Sequence, residues 1–341
     1  MIFYSFRNGI YIVILLATAP AFGQGPSKNL SDSSPLERRF EEEQFSRISS
    51  FDSSHPLFAT KEEAQAAFER GGKWSLEFSS GGALDSNPFR RSDSQSDWLW
   101  EYGASLGYEW WVSESSGIVI TPSVSAEGQR YDQFSELDGD MLGSGLTITF
   151  KNLIFSPTLE YAGAWGFESG YGENNYTEHV ASLAIGKKYP LRSETPKPSG
   201  KNVVVTAPEL SPPTFSWRLA GGYKFTDPSV LEQSFISGSL RLDVPVTKKL
   251  VLSAGAGLAY RSYTGFEPKD RETWVGSGSA ALIYQIADSV DLSAAISYTH
   301  SDDKISTSDY DQVLTTISVS WTPDIKGFLG LPQAYAPKTA P

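Results

Sequence analysis

The sequence predicts an all-β fold: a transmembrane, antiparallel up-and-down β-barrel of about twelve strands behind a short, partly helical N-terminal segment. Three observations predict it. Apolar and polar residues alternate with period two from about residue 73 to 322. The segments that alternate are joined by connections that switch between tight and long. Tryptophan and tyrosine fall on the apolar register, close to the ends of the segments.

The N-terminus comes first. Arg7 leads into an apolar stretch from Ile10 to Ala21 and then to small residues, the pattern of a secretory signal, with Ala21 and Gly23 as the small side chains before a cleavage point. Residues 1–23 are therefore expected to be a signal peptide, and the mature chain to start near Gln24. The stretch falls short of the roughly 18 apolar residues a membrane helix needs, and no later segment approaches that length, so a membrane role has to use strands. The chain contains no cysteine. That removes disulfides, thiol catalysis, cysteine-based metal sites and a lipid-modified cysteine anchor. A net charge of -12 argues against nucleic acid as a partner.

Residues 24–72 are polar, charged and without alternation. Ser34-Pro35-Leu36-Glu37 and Thr60-Lys61-Glu62-Glu63 both carry the capping-box signature of a helix start, and Gly71-Gly72 ends the second helix. So few apolar residues make no core, so this is expected to be a periplasmic or plug segment.

From Lys73 the barrel pattern begins. Ile236, Gly238, Leu240, Leu242, Val244 and Val246 alternate with Ser237, Ser239, Arg241 and Asp243, giving one apolar and one polar face. Segments of this kind run over 73–84, 98–112, 117–131, 140–150, 153–167, 176–189, 214–226, 233–246, 250–264, 272–286, 290–301 and 310–322. Twelve is an even number, as bacterial single-chain barrels have. Tight connections at Ser113 to Ser116, Lys151-Asn152, Thr247 to Lys249 and Ala287 to Ser289 alternate with longer ones rich in Asp, Asn, Ser and Gly. The long set includes Asp85 to Asp97, Asp132 to Gly139, Glu168 to Asn175 and Asp302 to Asp309, and would face out of the cell. Pro190 to Pro213 breaks the rule, being long where a tight turn is due, and Val203 to Thr206 could add a strand. Residues 323–341 form a tail.

The aromatics separate a membrane barrel from a soluble one, because Trp and Tyr favour the lipid headgroup region. A girdle is expected from Trp98, Trp100, Tyr108, Trp110, Trp165, Trp217, Tyr223, Trp274, Tyr284, Tyr298 and Trp321, with Phe155 as a further aromatic on the same register. The opposite face is rich in Gly, Ser and Ala, including Ser156, too small to fill a wide barrel. Signal peptide, alternating strands, aromatic ends and a final strand closing at Trp321 together resemble bacterial (Gram-negative) outer-membrane β-barrel proteins, over residues 73–322 and without a subfamily. Those proteins usually end at the closing aromatic, whereas here Thr322 to Pro341 follows.

On the polar register, Glu77, Glu101, Glu109, Glu127 and Glu160 come from the first five strands. Arg218, Lys224, Arg241 and Arg261 come from strands seven to nine, with Asp243 and Asp291 as acidic exceptions. In the resemblance this looks like a porin, where opposed charges set up a field across the lumen that orients polar solutes; the bland reading is salt bridges filling a closed barrel. The resemblance implies outer-membrane lipid and small polar solutes as partners. It implies no cofactor. A non-conducting structural or adhesive barrel, binding through its outer loops, is the alternative.

Enzymatic readings find little. The chain has three histidines, His55, His179 and His300. His300-Ser301 invites comparison with the His-x-Ser-Asn-Gly motif of outer-membrane phospholipases, but the serine follows directly, Asp302-Asp303 replace Asn-Gly, and adjacent strand residues point to opposite faces. Asp138-Gly139-Asp140 reads as an ordinary turn sequence.

Overall fold

The computed structural model describes residues 73–89, 95–113, 117–191, 211–264, 271–304 and 309–323. The expected signal peptide, the two N-terminal helices, Val203 to Thr206 and nearly all of the tail lie outside the described residues. Alternating side chains favour extended backbone, and here it forms β1 (Lys73–Asp85), β2 (Asp97–Ser113), β3 (Ile118–Tyr131), β4 (Gly139–Phe150), β5 (Thr158–Glu168) and β6 (Asn174–Pro190). The second half contains β7 (Thr214–Asp227), β8 (Gln233–Pro245), β9 (Leu250–Tyr263), β10 (Glu272–Ala287), β11 (Val290–Asp303) and β12 (Tyr310–Trp321). Every strand pairs antiparallel with its neighbours in sequence, and β1 pairs with β12, so the sheet closes into a barrel. Closure satisfies the backbone hydrogen bonds and leaves no edge strand. Among the described residues no helix is long and apolar enough to cross a membrane.

Twelve strands about 4.8 Å apart and tilted by about 40° give a backbone radius of about 12 Å. Small side chains cannot meet across that width. Pairing locks the faces together, because directly opposed residues point the same way. Ser75, Gly107, Ser123, Gly145 and Ala162 thus form one inward row across β1 to β5. The outward register is apolar and exposed all round, as at Leu183, Leu219, Ile236, Leu258, Ile296 and Ile317, the last 62% exposed. A continuous apolar belt of this kind is far larger than a soluble monomer normally shows to water.

Two expectations need correcting at one place. The fifth strand starts at Thr158 rather than at 153, and the turn before it runs through Pro157 instead of closing at Lys151-Asn152. Leu153 and Phe155 continue the alternation in sequence but not in space. Phe155 and Ser156 have positive φ values of 64° and 42°, which a strand cannot hold, and Pro157 has no N–H to give to a ladder. Ser156 is consequently a turn residue, and Leu153, Ile154 and Phe155 form an exposed apolar rim. The break at Pro190 to Pro213 does not alter the strand count. β6 pairs directly with β7 from Thr177–Asp227 to Pro190–Thr214, and Leu191 N–H donates to the Pro213 carbonyl at 2.8 Å.

Candidate functional site

The barrel interior gathers the polar register of all twelve strands, and its two ends differ. Glu77, Glu101, Glu109, Glu127 and Glu160 sit on the inward register of β1, β2, β3 and β5. Arg218, Lys224, Arg241, Asp243, Arg261 and Asp291 sit on that of β7, β8, β9 and β11. Glu77, Glu101 and Glu127 line a cavity of about 380 Å³ against β1 to β4, together with Ser79, Ser105 and Gln129. Among the described residues no Lys or Arg joins that lining. Ser75, Glu77, Ser79, Ser105, Ser123, Ser277 and Ser279 are all exposed although they face inward, which requires solvent-accessible space inside the barrel.

The basic residues are held differently. Arg218 meets Glu160 at 2.6 Å, Lys224 meets Glu178 at 3.6 Å, and Arg241 meets Asp243 at 2.7 Å. These pairs run between near neighbours on one wall, so Glu160, counted with the acidic set of the first five strands, belongs beside the cations, where Asp243 already stood. A buried cation needs such a partner because desolvating an unpaired charge costs several kcal/mol. Glu178 was missed in the sequence reading, though its even position in β6, in step with the inward Ser182 and Val180, marks it as inward. Its carboxylate also accepts from Tyr176 Oη at 2.6 Å.

Towards the long connections the interior is packed. Arg271 Nε donates to Asp303 Oδ2 at 2.7 Å, Thr273 Oγ1 donates to the same oxygen at 2.9 Å, and the guanidinium stacks over Tyr263 at 4.0 Å. Gln312 donates to Asp85 at 2.8 Å. Ala83, Leu99, Tyr131 and Leu137 form a buried apolar cluster there, joined by Phe89, Phe134 and Leu314. Arg271, Phe89, Phe134 and Leu137 were not read from sequence, because they lie in connections that carry no periodicity.

The outer register carries the aromatics. Trp98, Trp100, Trp165, Tyr223, Trp274 and Tyr298 lie towards the long-connection end, and Tyr108, Trp110, Trp217, Tyr284 and Trp321 towards the other. They pack in pairs, Trp274 on Tyr260 at 4.9 Å, Tyr108 on Trp74 at 4.7 Å and Trp321 on Phe78 at 5.5 Å. Asp140 also faces outward, and its carboxylate does more than a turn residue's. It takes Arg130 at 2.8 Å, Tyr102 Oη at 2.8 Å and the Gly170 and Tyr171 N–H groups, fastening the β5–β6 connection to the wall. Gly128 makes room, since a Cβ there would overlap both Asp140 Oδ1 and the Tyr102 ring.

His300 faces outward and hydrogen-bonds Asp311 at 2.9 Å, while Ser301 faces inward and is 2% exposed. The two therefore do not form a base and nucleophile. Among the described residues no group of acidic or histidine side chains has the arrangement of a metal site.

No protein-family model matches the chain. No curated protein matches it either. Solved β-barrels do. An outer membrane channel from Pseudomonas putida F1 is 9% identical, with 73% of this chain and 95% of that one covered and a TM-score of 0.43. The KdgM porin in complex with disordered oligogalacturonate is 9% identical, with 72% and 98% covered and a TM-score of 0.36. The transport unit of the autotransporter AIDA-I from Escherichia coli is 9% identical, with 84% and 98% covered and a TM-score of 0.39. At these identities and scores the likenesses transfer nothing to this chain, whose reading rests on its own residues.

Proposed function

We propose that this protein is an outer-membrane channel through which small polar solutes pass, with its long connections facing out of the cell. The observation that carries the reading is the exposure of inward-facing Ser75, Glu77, Ser79, Ser105, Ser277 and Ser279 in a barrel whose outer face is apolar. A soluble barrel of this width would need bulky side chains inside and polar ones outside. Lipid is the solvent that suits the belt, and the outward Trp and Tyr residues near both ends would sit at its headgroups. The expected signal peptide, residues 1–23, supplies the export such a location needs.

The carboxylates on β1 to β3 and the paired cations on β7 and β8 make the lumen unequal in charge across its width, which would orient a dipolar solute in transit. The purified, folded full chain in planar bilayers tests the reading. Single-channel steps are expected. Silent bilayers, with liposomes that stay tight to small sugars and amino acids, would sink it in favour of a structural barrel.

A further inference from the structure

We infer that residues 86–89 of the β1–β2 connection and 132–138 of the β3–β4 connection form a fixed wedge, seated on an apolar base inside the long-connection mouth, and that this wedge sets the size limit for passage. The inference rests on the channel reading. Leu137, on the one-turn 3-10 helix Ser135–Leu137, is fully buried. Its seat is made of Ala83, Leu99 and Tyr131, which lie on the inward register of β1, β2 and β3. A loop residue packed on inward-facing strand residues lies inside the barrel, not above it. Phe89 and Phe134 thicken the wedge, packed edge to face at 4.8 Å.

The wedge is pinned at several points. The Asp97 carboxylate accepts the Gln133 and Phe134 N–H groups at 2.9 and 3.0 Å. Asp138 accepts the Tyr131 N–H at 2.6 Å. Asn87 donates its side-chain amide to the Asp311 carbonyl at 2.9 Å, and Ser86 N–H donates to the Val313 carbonyl at 3.0 Å. Each bond joins loop to wall, so the wedge is a constriction without a hinge. Its apolar residues are buried against the wall and polar Gln133, Ser135 and Glu136 are exposed, so the wedge narrows the mouth by its volume.

The absence of native cysteine allows a clean test with the full chain in planar bilayers. Ser135→Cys places a unique thiol on the exposed side of the wedge, and Asp302→Cys places one on the outer face of the barrel. A bulky maleimide-polyethylene glycol on Ser135→Cys is expected to lower conductance at least two-fold, and on Asp302→Cys to leave it unchanged. Leu137→Ala is expected to admit larger polyethylene glycols than the parent chain does. Equal effects of the label at both positions, or no effect at Ser135→Cys, would overturn the wedge while leaving the channel standing. Channels absent from the parent and from every variant would remove the channel reading, and the wedge with it. Should Leu137→Ala fail to fold, the Ser135→Cys comparison decides alone, because it alters only an exposed hydroxyl.

Discussion

The long-connection mouth and the middle of this barrel are made by the same alternation, yet their interiors are opposites. Near the long connections, inward side chains such as Asp85, Lys224, Arg261 and Asp303 are at most 3% exposed. At mid-depth on β1, β2 and β10, the inward Ser79, Ser105, Ser277 and Ser279 are open to solvent. Period two decides which way a residue points, but not whether anything lies in front of it. That second property comes at the mouth from the long connections, which fold back inside and do not reach mid-depth.

The comparison breaks most visibly at charges. Arg271 and Asp303 are 7% and 1% exposed at their side chains, whereas Arg241 and Asp243 at the other end are 16% and 15% exposed. Arg271→Ala strands a buried carboxylate and is expected to cost about 3–5 kcal/mol. Arg241→Ala leaves its partner near solvent and is expected to cost about 1 kcal/mol or less. Urea unfolding of the folded barrel in lipid vesicles measures both. Equal losses would mean that the two ends are solvated alike.

Inside against outside gives the next largest effect, and neighbouring residues suffice to test it. Ile317 faces outward in the belt and Ser318 inward, onto the cavity. Arginine at the lipid-facing position is expected to cost about 2–4 kcal/mol near the bilayer midplane. Ser318→Arg meets lumen solvent and is expected to fold with little loss. A smaller effect is expected at the outer clamp of the long-connection end. In Gly128→Ala the added Cβ collides with Asp140 and Tyr102, for a loss of about 1–3 kcal/mol and easier proteolysis of the β5–β6 connection. Cleavage as slow as in the parent chain would show that the clamp relaxes around a methyl group.

The sequence makes the barrel legible because its strands carry a two-residue repeat that tertiary contacts only reinforce. Its one misplaced boundary, the start of β5, lies where Leu153 and Phe155 imitate that repeat across a turn whose geometry is set by positive φ values at Phe155 and Ser156. The face on which Glu101 or Arg218 lies follows from parity. The partner of Arg218 does not, since Glu160 stands 58 residues away and two strands over, and only the register brings them together. The wedge was illegible for the same reason in stronger form. Phe89, Phe134 and Leu137 have no period to betray them, and their burial depends on loops folding back onto three strands at once.

The smallest expected effect shows how far burial at the long-connection end extends. Glu232 lies in the β7–β8 connection, where burial pushes its carboxyl above the ordinary value of 4.5 and a hydrogen bond from Tyr223 Oη at 3.4 Å only partly offsets this. A group with a raised folded pKa favours folding while it is protonated, so its contribution is complete below pH 4.5 and is lost as pH climbs through the folded value. Glu232→Gln stays neutral throughout. Its urea midpoint should therefore match that of the parent chain at pH 4 and exceed it slightly at pH 7. A gap that is the same at both pH values would show that Glu232 is solvated as freely as a residue in the tight turns, and that the packed end stops at the strand ends.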